Sequence, residues 1–415
     1  MRTSKIISIA GIIISVLLVF MAMVGIFFRD TLSDLSLVGQ SQYTPSPNFE
    51  DTTSVSLFNQ NEDEQDSDLR DSTLNYKLEV VAENLFVPWS IVFTSPDRIL
   101  LTERNGGIRV VESGQLREEP LYTFDSVSTG GEKGLSGMTL HPEYDSNKQV
   151  YICYTEDTQD GLQNVIVSLT DSGNELTNPQ RIFGGIPSAN NHAGCRIEFG
   201  PDDMIYITTG DALERNQAQD LDSLAGKTLR VTANGEIPAD NPFENSPVYS
   251  YGHRNHQGLA WHPENEELYS SEHGPSVFDG PRGGDEINLI RPGENYGWPV
   301  VSHQESQEGM VDPLAVYTPA IAPASAEFYD GDAFPALRNY FLMGGLVGTD
   351  IYYVLFNPNN PTEVLDQGQL GLEVGRIRDI TTGPDGYVYF VTSNRDGRGN
   401  PRSADDTLYR LVPGE

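Results

Sequence analysis

His192 stands in the turn-like run Ser188-Ala-Asn-Asn-His-Ala-Gly-Cys-Arg196, whose small side chains leave an imidazole accessible. Nineteen positions on, the strand-like run Ile205-Tyr-Ile-Thr-Thr-Gly-Asp211 ends in a carboxylate. A histidine held by a buried carboxylate is an oriented general base that titrates near neutrality; the same pair serves equally as an ordinary polar contact. The densest polar region runs from Tyr249-Ser-Tyr-Gly-His-Arg-Asn-His-Gln-Gly258 through Ser270-Ser-Glu-His-Gly-Pro275 and Gly284-Asp-Glu-Ile-Asn288 to Gly293-Glu-Asn-Tyr-Gly-Trp-Pro299. Such a stretch is costly to bury without a partner, and its plain alternative is a solvated loop. Asp285 and Glu286, with backbone carbonyls nearby, offer hard oxygen ligands that suit Ca2+. No CxxC or HExxH spacing occurs, which disfavours zinc. Arg376 and Arg378 in Gly375-Arg-Ile-Arg-Asp379 share one face of a strand. Paired guanidinium groups suit a polycarboxylate, or structural ion pairs. His141 and His262 belong to turns and read as structural.

The elements that must position these groups carry a repeat. A Pro followed by polar turn residues and then an aromatic or β-branched strand recurs with prolines at 96, 142, 201, 263, 323 and 384, at intervals of 46, 59, 62, 60 and 61. Each unit is long enough for four short strands but too short to bury its own sheet face. The expected fold is all-β: six such sheets closed radially into a six-bladed β-propeller, with Thr407–Val412 completing a blade beside the N-terminal strand. Two β-sandwich domains are the alternative. In a propeller, loops distant in sequence converge on a central channel.

The composition agrees with strands and turns, with 40 Gly, 26 Pro and 19 Tyr among 415 residues. Sixty acidic against 26 basic residues give a formal charge of −34, which excludes a nucleic-acid partner and adsorption of the soluble part to an anionic membrane surface. Residues 1–30 pair a basic start with the 23-residue uncharged apolar run Ile6 to Phe28. This predicts a signal anchor with the N-terminus in the cytoplasm and the remainder outside, a cleaved signal peptide being the alternative. Residues 31–75, rich in polar and acidic side chains, read as a disordered stalk, and residues 76–415 as the propeller. Cys153 and Cys195 both fall outside the membrane, either paired or as buried thiols.

These phrases together resemble the soluble glucose dehydrogenase and aldose sugar dehydrogenase family, six-bladed propellers that use pyrroloquinoline quinone (PQQ) and calcium. The resemblance runs from Leu85-Phe-Val-Pro-Trp-Ser90 through Thr102-Glu-Arg-Asn-Gly106, Gly131-Glu-Lys-Gly-Leu-Ser-Gly137, the His192 and Arg254 phrases and Asn295-Tyr-Gly-Trp-Pro299 to the final Arg-Ile-Arg. It implies oxidation of an aldose at C1 to its lactone, with an external electron acceptor. In that reading His192 removes the anomeric proton, Asp211 orients it, and Arg254 polarises the quinone oxygen. Asn255, His273, Asp285, Arg376 and Arg378 contact the cofactor. The carbonyls of Gly274 and Pro275 bind its Ca2+, while Glu286 and the Tyr296 carbonyl help hold a second, structural Ca2+. Three departures stand out: no Lys in Phe341–Gly348, His rather than Gln at 273, and an insertion, Val277 to Gly283. They motivate an alternative, a non-catalytic Ca2+-binding surface propeller that binds a glycan or a protein. A propeller lactonase with a catalytic Ca2+ is a further possibility.

Overall fold

The computed structural model describes residues 51–58 and 72–414. Six antiparallel sheets follow one another along the chain. Their innermost strands are Pro88–Ser95, Leu135–Leu140, Ile197–Phe199, His256–Trp261, Pro323–Phe328 and Ile377–Thr382; we number the blades 1 to 6 in that order. Six buried apolar clusters lie one at each junction between neighbouring blades. Leu100, Ile108 and Val110 of blade 1 pack on Ile152, Val165 and Leu169 of blade 2, for example. The ring closes where Val391 and Leu408 of blade 6 meet Ile91 and Leu101 of blade 1. Each sheet thus buries both faces against its neighbours, which two separate sandwiches would not do.

Closure is made by the two chain ends. The strand Ser72–Ala82 pairs antiparallel with Leu408–Pro413, with Lys77 opposite Val412, and Leu408–Pro413 in turn pairs with Val388–Thr392. Thr53–Leu57 adds an outer edge strand against Ser72–Ala82. The expected stalk, 31–75, therefore contributes strand residues on both sides of its acidic stretch. Its average composition is polar, but Leu57 and Leu74 are buried and join the apolar cluster between blades 5 and 6, a period-two signal that averaging conceals. The apolar run 6–28 lies outside the described residues. Among the described residues, no helix is long and apolar enough to cross a membrane.

The repeat needs one correction. The prolines at 96, 142, 201, 263 and 384 sit in turns after an innermost strand, whereas Pro323 begins the innermost strand of blade 5. The corresponding turn there carries Pro335, at the start of a short 3-10 helix. The near-constant last intervals were partly coincidental, because a loose match in an Ala-Ser run was one strand out of phase.

Candidate active site

The segments that enter the innermost strands gather at one end of the channel. Glu132 precedes blade 2, His192 blade 3, Arg254 blade 4 and Ala322 blade 5. With the 273–285 connection of blade 4 they line a cavity of about 690 Å3. His192 reaches it because residues 188–196 form an irregular approach, anchored when Cys195 bonds Cys153 of blade 2. The alternative of two free thiols is thereby settled. Gly210 is required beside this approach, since a Cβ there would lie 1.9 Å from the His192 carbonyl oxygen.

The two residues flagged by spacing meet. His192 Nδ1 lies 2.7 Å from Asp211 Oδ1; a carboxylate only accepts, so Nδ1 carries the proton and Nε2 is the basic nitrogen. Asp211 is fully buried, and its other oxygen accepts Trp298 Nε1–H at 2.8 Å. The Leu213 N–H donates to Oδ1 at 2.8 Å. The His192 backbone N–H is held by Glu132 Oε2 at 2.8 Å. Three groups therefore fix the carboxylate and a fourth fixes the histidine, leaving the ring little freedom to turn away.

Arg254 lies on the same cavity. Its Nε and Nη2 donate to Asp279 Oδ2 at 2.9 and 2.8 Å, its Nη1 donates to the His273 carbonyl at 3.3 Å, and the guanidinium stands 5.5 Å from the Trp298 ring centre. Asp279 belongs to the insertion 277–283, so the insertion supplies the arginine's partner. Burial would raise the Asp279 carboxyl, but Arg254 beside it holds it low. Phe278, next to it, is 98% exposed at the cavity wall.

Asp285 is engaged by backbone: Oδ1 accepts Gly274 N–H at 2.8 Å, and Oδ2 accepts the Ile321 and Ala322 N–H groups, each at 2.7 Å. It fastens two strand connections of the cavity together, 273–284 and 318–322. Asn255 is likewise tied at both ends, to Gly194 N–H at 3.1 Å and Glu132 Oε2 at 3.2 Å. Arg376 pairs with Asp396 at 2.8 Å, and Arg378 Nη1 donates to Gln257 Oε1 at 2.6 Å; neither is among the residues lining the cavity. The structure thus brings His192, Arg254, His273, Gly274, Pro275 and Asp285 to one cavity and sets Asn255, Arg376 and Arg378 outside its lining.

Residues that carried no role in the sequence reading complete the site. Glu132, Arg104, Trp298 and Arg398 were within reach of it: the first three stand inside quoted phrases. Arg398 donates to Glu132 Oε1 at 2.9 Å. Burial would raise Glu132, yet His273, Arg398 and His192 together hold it down at about 2. Burial pulls His273 down to about 4 against the upward pull of Asp285 and Glu132, and its Nε2 is buried without a partner.

The donor set fits an anionic, polar cofactor. Burial, and then repulsion from Arg104 and Arg376, brings Arg378 down to about 9, and Arg378 Nε has no partner. Crowded guanidinium groups and two orphaned nitrogens are what a multiply charged carboxylate ligand would satisfy. The oxygen donors fit calcium. Gly274 and Pro275 line the cavity wall, and Glu286 and Tyr296 share a small adjoining space with Glu272. Burial, and then the Glu272 charge, pushes Glu286 well above the usual carboxylate range, a state that a divalent cation would relieve.

Comparison with known proteins agrees with this geometry. The chain matches the family model for glucose/sorbosone dehydrogenases over residues 85–410. It is 34% identical to the aldose sugar dehydrogenase YliI of Escherichia coli over 349 residues, 77% of this chain and 91% of that protein. It is 29% identical to quinoprotein glucose dehydrogenase B of Acinetobacter calcoaceticus, covering 80% and 88% of the two chains. The PQQ-bound structure of aldose sugar dehydrogenase from Streptomyces coelicolor superposes with a TM-score of 0.72 at 35% identity, covering 81% of this chain and 98% of that one. The chain belongs to the glucose/sorbosone dehydrogenase family.

Proposed function

We propose that the protein oxidises the C1 hydroxyl of an aldose to its lactone. The observation that carries this reading is the His192–Asp211 pair, 2.7 Å apart, on a cavity shared with Arg254. Bound PQQ with Ca2+ would supply the two-electron acceptor for the hydride of the sugar carbon, with an external acceptor to reoxidise it. His192 Nε2 takes the hydroxyl proton, and the buried Asp211 stabilises the imidazolium that results. Arg254, held by Asp279 and the His273 carbonyl, presents a fixed positive charge where oxygen gains electron density. Arg104, Arg376, Arg378 and Arg398 supply the positive field for the cofactor's carboxylates, the role a lysine would otherwise take in 341–348. The Gly274 and Pro275 carbonyls would hold a Ca2+ beside the cofactor, and Glu286 with the Tyr296 carbonyl would hold a second. The disulfide suits a location outside the cytoplasm, in line with the anchor or signal read at residues 1–30.

The test is turnover. Purified protein with PQQ and Ca2+ is offered a panel of aldoses and an artificial acceptor. Lactone formation supports the reading. Absence of turnover across the panel, together with a thermal shift on adding Ca2+ but none on adding PQQ, supports the non-catalytic propeller instead.

A further inference from the structure

Next to Arg254 and Asn255, and outside the lining of the 690 Å3 cavity, three buried side chains converge. His253 and His256 are 0% exposed and Glu272 is 4% exposed. Their ligand-type atoms, one from each residue, all lie within 4.8 Å of one another. We propose that His253 Nδ1, His256 Nδ1 and Glu272 Oε2 form a binding site for a borderline divalent transition metal of the zinc type, adjoining the small space that Glu272 shares with Glu286 and Tyr296.

The hydrogen bonds around the cluster argue for it. His256 Nε2 is 3.1 Å from the Lys227 carbonyl, which can only accept, so Nε2 carries the proton and Nδ1 carries a lone pair. That Nδ1 is buried with no partner and lies 3.9 Å from Glu272 Oε2. His253 has the same outer arrangement: Nε2 meets Ser250 Oγ at 2.8 Å, while Nδ1 meets Glu272 Oε2 at 2.9 Å. Ser250 Oγ can accept as well as donate, so His253 can shift its proton to Nε2 and free Nδ1. Glu272 uses its other oxygen, Oε1, to accept the Arg254 and Asn255 N–H groups, which leaves Oε2 directed at the two imidazoles. Each prospective ligand is thus held by its second atom from behind, as metal-bound histidines and carboxylates are. Ligands on a tetrahedral zinc stand about 3.3 Å apart, between the 2.9 and 3.9 Å that separate Oε2 from the two nitrogens. Two neutral imidazoles and one carboxylate select zinc-type metals over calcium. The nearby Lys227 ammonium is engaged by the carbonyls of Gln217, Ala218 and Ala225. The absence of an HExxH spacing, which argued against zinc, does not apply to a site assembled across two paired strands: His256 lies opposite Glu272 in the ladder of blade 4.

A metal here would tie the backbone carrying Arg254 and Asn255 to the second strand of blade 4. The test is metal retention by the full chain. Protein produced in zinc-supplemented medium is desalted in excess Ca2+ and its zinc measured by elemental analysis. About one zinc per chain is expected in the wild type, also in His192→Ala. In His256→Leu the zinc falls at least about tenfold while the circular dichroism spectrum is retained. A cobalt-substituted sample is expected to show the visible absorption of a nitrogen-ligated, low-coordinate site, and this readout stands if His256→Leu fails to fold. No retained zinc in the wild type, equal retention in a folded His256→Leu, or a cobalt spectrum of an all-oxygen octahedral site would each overturn the proposal.

Discussion

At the end of the channel where the six innermost strands begin, Glu132 is held at about 2 by cations around it. At the end where they finish, burial pushes Glu198 up to about 7 and Glu327 up to about 8. The second end holds a cavity as large as the first, about 760 Å3 against about 690 Å3, lined by Arg196, Glu198, Glu327, Asp379 and Trp261. Size therefore does not mark the site. What differs is the company the acids keep. At the strand-start end carboxylates are met by histidines and arginines and each has a geometric task. Among the residues lining the other end the cation is Arg196, which is held by Asp379 at 2.7 Å and stands farther, 4.0 Å, from Glu198. Charge that is paired and oriented can act on a substrate; acids left to burial tend to take up protons instead.

The largest expected effect that sharpens this contrast is loss of the base. His192→Ala should lower turnover by roughly 10^2 to 10^4-fold with the melting temperature little changed, whereas Glu327→Gln at the other end should leave turnover nearly intact. Steady-state kinetics on both variants decide it, and a reversed order would break the assignment of ends. A smaller effect is expected for Trp298→Phe, which removes the donor to Asp211 Oδ2. The loss of one buried hydrogen bond, about 1 to 2 kcal/mol, corresponds to roughly a tenfold fall, and it should appear in kcat more than in the sugar KM.

The smallest effects are on stability, and their signs oppose each other. Glu132 has its folded pKa lowered, so it contributes stability above the unfolded value, and this is lost as pH falls toward 2. Glu198 and Glu327 have theirs raised, so their contribution is full below the unfolded value and lost as pH rises through 7 to 8. Thermal melts should show the double variant Glu198→Gln with Glu327→Gln losing less stability than the wild type between pH 5 and pH 8. Glu132→Gln should be destabilised at pH 7 and converge on the wild type in acid. A double variant with an unchanged pH slope would remove the distinction between the two ends.

Much of this was legible in the sequence where local patterns carry the information. The strand phrases and turn prolines revealed six blades, and the pairing of Leu408–Pro413 with an N-terminal strand followed from ring closure. His192 and Asp211 could be named from their runs, although nothing in a nineteen-residue spacing shows that a Trp298 from blade 4 completes the pair. The parts that escaped depend on three-dimensional convergence. Glu132 and Arg398 lie 266 positions apart, and the Asp279 partner of Arg254 sits in an insertion that read only as a departure. Thr53–Leu57 was masked by polar neighbours, because its two inward residues are too few to move a segment average. The proline at 323 misled for the opposite reason, a local match without the strand it should follow.

In the proposed function the strand-start cavity binds the quinone and does the chemistry. Its most direct test is an equilibrium titration of the Ca2+-loaded protein with PQQ, followed by the cofactor's absorbance before and after addition of an aldose. Saturation at one PQQ per chain is expected, with bleaching on sugar addition, weaker binding by at least about tenfold in Arg378→Ala, and unchanged binding in Glu198→Gln. Absence of saturable binding, or equal binding in Arg378→Ala and the wild type, would contradict it.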